Sequence, residues 1–245
     1  MTVRPGGNVL RILHSLGDPH TAPGARSRPE PAEGPRPGVS PDLVEGPAEG
    51  AVLIITVGLP ATGKSTFARR LAGMTGAVVL ESDAIRRLLH DAPTYSPRES
   101  FGLFRSIHAA ARRLLAAGRP VIVDATSITE AHRRPLYALA EAAGVPLLIA
   151  QFQAPAGVVG GRLARRVAGR DVGDSSEAGP DVYQRMAPRF EPVRRPHWQI
   201  DTSDPAATEA ALAEMAAACG VLSLPRGLWE VRRATDPHGQ GERSR

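Results

Sequence analysis

The chain has 245 residues, 42% hydrophobic and 22% charged, which suits a soluble globular core and excludes a wholly disordered chain. One cysteine, Cys219, excludes an intramolecular disulfide framework and a thiolate zinc site, leaving the reducing cytoplasm as the expected compartment. No apolar run approaches the roughly 20 residues of a membrane helix, and the formal charge of +5 points toward acidic partners.

Residues 1–50 carry 5 Arg against 6 acids, in a stretch dense in Pro, Gly, Ala and Glu that has no periodic apolar face. It reads as a poorly ordered extension, unable to bury enough surface to offset its ordering entropy. Order begins at Ala51. The apolar, β-branched run Ala51–Val57 reads as a strand buried on both faces, as in a parallel sheet. Four more short runs follow: Ala77–Leu80, Pro120–Asp124, Pro146–Gln151 and Trp198–Ile200. Helical stretches lie between and after them: Thr66–Ala72, Asp83–His90, Pro97–Ala117, Thr129–Ala143, Ala156–Ala168 and Pro205–Ala218. Gly118 and Gly144 stand where helix ends need a left-handed residue. The alternation predicts an α/β fold of three layers, about five parallel strands with helices on both faces. The expected domain spans residues 51–220, followed by a polar, Arg-rich tail at 221–245.

The basic excess sits in the middle, where residues 51–204 hold 20 basic residues against 14 acids. It fits phosphates, of a nucleotide or a nucleic acid, or an Arg-rich solvated surface. Of the 30 basic residues only Lys64 is a lysine. Lys64 lies in Gly58-Leu59-Pro60-Ala61-Thr62-Gly63-Lys64-Ser65-Thr66, which matches G-x4-G-K-[ST] with a strand before it and a helix after it. Glycines at Gly58 and Gly63 let the backbone of Ala61, Thr62 and their neighbours turn N–H groups toward phosphate oxygens. The new helix at Ser65 and Thr66 adds its dipole. Lys64 is a mobile cation for β- and γ-phosphates, and Ser65 offers a hydroxyl to Mg²⁺.

The second strand ends at Glu81-Ser82-Asp83, with Arg86 one turn on and on the same helix face. Asp83 is placed to accept a proton from a hydroxyl and Arg86 to hold charge on a moving phosphoryl group. Equally, Ser82 or Asp83 caps the helix and Arg86 points to water. Asp124 closes the third strand, where an acid holds Mg²⁺ or its water, or else orders the turn after it. Arg162, Arg165, Arg166 and Arg170 precede a polar stretch at Asp171–Pro180. These read as a lid bringing Arg162 and Arg166 over phosphates, or as an exposed basic helix face.

These residues together resemble the small P-loop kinases related to polynucleotide kinase, gluconate kinase and zeta toxins, whose bacterial members often carry the label AAA family ATPase. The resemblance covers roughly residues 52–203. It rests on Gly58–Thr66, Ser82-Asp83-x-x-Arg86, Val121–Thr126 and Arg162-x-x-x-Arg166. It implies ATP and Mg²⁺ as cofactors, with Asp83 as general base, Arg86 on the transferring phosphate and Arg166 as the lid arginine beside Arg162. Thr62 stands where such loops usually have Gly or Ser and should crowd the loop slightly. The sequence shows none of the sensor and arginine-finger apparatus of ring-forming motors.

The expected activity is transfer of the γ-phosphoryl group of ATP to a hydroxyl acceptor. Single-strand binding wants aromatic stacking platforms. Aromatics are 4% of the chain, with Tyr95, Phe101, Phe104 and Tyr183 near the site, so a small molecule is favoured over a nucleic-acid 5′-hydroxyl. The alternatives are a nucleotide-dependent regulatory module that hydrolyses ATP and a toxin-like kinase acting on a nucleotide sugar.

Overall fold

The computed structural model describes residues 50–168 and 178–222. The expected extension up to residue 49, the tail from 223 and the insert at 169–177 lie outside the described residues, Arg170 among them.

The five apolar runs form five strands: β1 (Leu53–Val57), β2 (Val78–Glu81), β3 (Val121–Asp124), β4 (Leu147–Gln153) and β5 (Trp198–Asp201). All pairings are parallel, in the order β2-β3-β1-β4-β5. Every residue of β1 is buried. Alternate side chains of a central strand face opposite layers, so Leu53, Ile55 and Val57 enter one core while Val52 and Ile54 enter the other.

The helices are α1 (Lys64–Thr75), α2 (Ser82–Leu89), α3 (Pro97–Ala116), α4 (Glu130–Ala143), α5 (Ala156–Val167), α6 (Pro180–Met186) and α7 (Pro205–Leu222). Phe67 and Leu71 of α1 pack with Leu212 and Met215 of α7 on one face of the sheet. Leu103, Ile107 and Leu115 of α3 pack with Leu136 of α4 on the other. Gly118 and Gly144 take φ of 72° and 63° beyond α3 and α4, as expected.

Several elements differ from the sequence expectation, α7 among them, which runs to Leu222 and not Ala218. α1 begins at Lys64 instead of Thr66, because Phe67 N already donates to Gly63 O at 3.1 Å. α2 begins at Ser82, directly on the last residue of β2. The helix α6 and a 3-10 turn at Ala187–Arg189 occupy a stretch where no element is expected. α6 buries no side chain, so no apolar stripe marks it in the sequence.

β1 and β3 are neighbours, yet the chain leaves β1 for α1 on one face and β3 for α4 on the other. Such a parting of connections opens a crevice at the strands' carboxyl ends. Gly58 N donates to Thr126 O across it at 2.9 Å, which ties the loop after β1 to the turn after β3.

Candidate functional site

The loop between β1 and α1 has a shape that only glycine permits at two positions. At Gly58 a side-chain carbon would lie 2.8 Å from Phe152 O and 2.9 Å from Thr62 Oγ1. Gly63 sits at φ 90°, with the Thr202 side chain 3.1 Å from where its own would begin. Ala61 adopts a left-handed φ of 61°. The crowding expected of Thr62 is absorbed: its buried hydroxyl donates to Leu59 O at 2.8 Å. Lys64 is buried too, and its Nζ donates to the same carbonyl at 2.7 Å. No side chain caps the N-terminus of α1, and its first turn carries no acid. Lys64, Ser65 and Thr66 line a cleft of about 1250 Å³. That exceeds the ~300–1,000 Å³ of a typical small-molecule site.

Asp124 lies in the wall of this cleft and is 2% exposed. Its Oδ1 accepts from Thr56 Oγ1 at 2.8 Å, while Oδ2 is buried with no hydrogen-bond partner. A carboxylate oxygen buried without a donor is costly, and a cation or its water would satisfy it. Ser65 offers a hydroxyl to the same cleft. No three His, Cys, Asp or Glu side chains cluster for a metal among the described residues. Mg²⁺ needs no such cage, because one or two protein oxygens, substrate phosphates and waters complete its shell. The donor set therefore fits Mg²⁺.

Asp83 is the second residue of α2, half-buried, and faces the cleft beside Glu81 and Ser82. Arg86 also lines the cleft and is 5% exposed, but its charge is already met. Nη1 pairs with Glu99 Oε1, Nη2 lies 3.4 Å from Ser100 Oγ, and the guanidinium stacks 4.5 Å from the Tyr95 ring centre. Glu99 Oε2 accepts from Thr94 N at 2.6 Å and Thr94 Oγ1 at 2.7 Å. The Thr94 hydroxyl and amide, with Arg86, hold the Glu99 carboxyl down at about 2. This grip also fixes Tyr95 at φ 54°, an outlier for a bulky residue and a form of strain that clusters at ligand sites. Phe104, Ser127 and His132 line the cleft as well. Partial burial, then Arg189 and Arg133, push the His132 imidazole below its usual range.

The structure separates the arginines of α5. Arg166 lines the cleft and its Nη1 donates to Ala178 O at 3.0 Å, reaching the chain just before α6. Arg162 lines the cleft too but lies against the loop: Nη1 donates to Ala61 O at 3.1 Å and to Thr202 Oγ1 at 2.8 Å, and Nη2 to Thr202 O at 2.8 Å. Burial, then the nearby Arg165, lowers the Arg162 pKa. Arg165 and, from α6, Val182, Arg185 and Met186 complete that wall.

Sequence reasoning missed Thr202, Glu99 and Arg133. Thr202 follows the carboxyl end of β5, where crevice residues gather, and that position was the available signal. Arg133 is fully buried and donates to Ser127 O at 3.1 Å and Pro192 O at 3.2 Å, holding Ser127 at a left-handed φ of 44°. Only tertiary structure reveals these contacts. The arrangement as a whole can hold phosphates at the loop, a cation between Ser65 and Asp124, and a proton acceptor, Asp83, facing the same space.

A sequence profile for the AAA_33 family, described as an AAA domain, matches residues 53–193. The chain is 31% identical over 165 residues to the uncharacterized protein Rv2004c of Mycobacterium tuberculosis, covering 62% of this chain and 32% of that protein. It thus spans about a third of the length of the curated relatives it matches. Among solved structures it is similar to one from Chloroflexus aurantiacus provisionally described as a kinase, with 22% identity and a TM-score of 0.56 over 68% of this chain and 97% of the other. Kti12 of Chaetomium thermophilum in complex with ADP-AlF3 gives 21% and 0.54 over 66% and 96%. APS kinase CysC of M. tuberculosis in complex with AMPPNP and APS gives 19% and 0.52 over 69% and 99%. At these identities the likeness is one of fold, the five-stranded parallel architecture of P-loop kinases.

Proposed function

The chain belongs to this AAA-domain family, and on that premise we propose that residues 51–220 form an ATP-dependent kinase acting on a hydroxyl acceptor. One observation carries the reading: Lys64, Asp124 and Asp83 open onto a single cleft at the switch point of the sheet. Gly58 and Ala61–Thr66 would cradle the phosphates, with Lys64 against the β- and γ-groups. Ser65 and Asp124 would hold Mg²⁺, which when bound offsets phosphate charge. Asp83 accepts the proton of the acceptor hydroxyl as that oxygen bonds to the γ-phosphorus and the bond to the bridging oxygen breaks, releasing ADP. Arg166, from the α5 side, supplies positive charge to the transferring group.

Support for a small acceptor comes from the wall near Asp83. Apart from the buried Phe67, Tyr95 and Phe104 are the aromatic residues lining the described cleft, and Tyr95 already packs one face on Arg86. Base-by-base stacking of a single strand needs more platforms than this. The pairing of Arg86 with Glu99 favours the second reading, a nucleotide-hydrolysing regulatory module, because it withdraws an arginine expected on the phosphoryl group.

The test is transfer from γ-labelled ATP–Mg²⁺ into pools of sugars, nucleosides, aminoglycosides and 5′-hydroxyl oligonucleotides, with Lys64→Ala as control. A labelled product that needs Lys64 and one pool supports the kinase. Lys64-dependent phosphate release without a labelled acceptor supports the regulatory module.

A further inference from the structure

We infer that Thr202, acting with Arg162, is a positioning residue that clamps the phosphate loop in its binding shape through the loop's outward carbonyls, at the edge of the cleft that both residues line. The inference rests on the nucleotide-binding reading given above.

A loop that turns its amides inward turns carbonyls outward, and those carbonyls need donors. Two come from distant parts of the chain. Thr202 Oγ1 donates to Thr62 O at 2.8 Å, across 140 residues of sequence. Arg162 Nη1 donates to Ala61 O at 3.1 Å, across 101 residues. The two donors are locked to each other, since Thr202 Oγ1 and O accept from Arg162 Nη1 and Nη2, both at 2.8 Å. Thr202 is itself fixed to the sheet, its N donating to Gln153 O at 3.0 Å. Its side chain also packs against Gly63, within 3.1 Å of the position a side-chain carbon would take.

Thr202 therefore meets the loop at two successive residues, Thr62 by a hydrogen bond and Gly63 by contact. Arg162 meets it at the residue before, Ala61, which holds a left-handed φ of 61°. A site whose backbone must present several amides at fixed spacing gains from such outside support. Three of the five guanidinium donors of Arg162 are used on protein oxygens, so its main work is to hold the loop. One turn further along α5, Arg165 and Arg166 face the cleft, so the same clamp anchors the helix that carries them.

The test uses the full chain, parent against Thr202→Val, which keeps the branched shape and loses the hydroxyl, and Thr202→Ser, which keeps the hydroxyl. Amide hydrogen exchange is measured at residues 58–66 without nucleotide, and affinity with mant-ADP and Mg²⁺. Thr202→Val should speed exchange in the loop and weaken mant-ADP, each by roughly five- to tenfold, with β1 and β3 unchanged; Thr202→Ser should restore both. Unchanged loop exchange overturns the clamp, and so does faster exchange with unaltered affinity. If Thr202→Val fails to fold, Arg162→Lys decides, since one ammonium cannot span Ala61 O and both Thr202 oxygens. Absence of mant-ADP binding by the parent would instead defeat the kinase reading, with loop exchange still deciding the clamp.

Discussion

Alanine placed at four glycines in turn separates crowding from backbone strain. At Gly58 the new carbon meets Phe152 O at 2.8 Å, a backbone atom of β4 locked in register with β1. Overpacking costs ~1–3 kcal/mol, and an obstacle that cannot rotate away, on top of a φ of 157° that disfavours a side chain, puts Gly58→Ala at about 3 kcal/mol or above. At Gly63 the obstacle is the Thr202 side chain at 3.1–3.2 Å, which can yield slightly, but φ is 90°. Left-handed strain of about 1–2 kcal/mol plus a displaced Thr202 gives about 2 kcal/mol, with weaker nucleotide binding. Gly76 has φ 69° and nothing within 4 Å, so Gly76→Ala costs the strain alone and leaves nucleotide affinity untouched. Gly102, inside α3 with nothing within 4 Å, gains about 0.5–1 kcal/mol as alanine. Urea unfolding with equal m-values measures all four; in a domain of this size 1 kcal/mol moves Tm by about 2–4 °C. A Gly58→Ala protein more stable than Gly76→Ala would refute the loop geometry on which the site depends.

Three further outcomes follow from the cleft. Asp124→Asn removes a buried charge whose Oδ2 lacks a partner, so metal-free stability should hold or rise while the Mg²⁺ requirement shifts roughly tenfold or more upward; a large loss of metal-free Tm would mark Asp124 as structural. The Glu99 carboxyl titrates at about 2, below its ordinary 4.5, so the stability it lends is whole above pH 4.5 and drains as pH falls toward 2. The Tm gap between parent and Glu99→Gln should be flat near neutrality and close below pH 4.5; a gap that persists unchanged to the acid limit contradicts the pairing with Thr94 and Arg86. Tyr95→Gly suits φ 54° and should keep the fold while raising the acceptor KM and leaving the ATP KM alone; an equal rise in both would move Tyr95 away from the acceptor end.

The sheet was legible because strands buried on both faces read as unbroken apolar runs, and each of the five is where its run lies. The shape of the loop after β1 was legible because its glycines, lysine and serine are contiguous and glycine alone suits Gly58 and Gly63. Arg162 and Arg166 looked equivalent at i, i+4, yet the fold sends one to the loop and the other toward Ala178. The partners that decided this, Ala61 and Thr202, lie far off in sequence, where local periodicity carries no signal. Glu99 likewise sits in the first turn of α3 as an ordinary surface acid until the fold sets it against Arg86. α6 escaped notice because a helix that buries nothing has no stripe to read.

The most direct test of the account is Asp83→Asn, with ATP–Mg²⁺ affinity and γ-phosphoryl transfer measured on the same preparation. Affinity should stay close to the parent's and transfer should fall by roughly 10²–10⁴, since Asp83 handles the acceptor's proton and leaves the phosphate loop untouched. Loss of affinity together with transfer, or transfer at the parent rate, would contradict it.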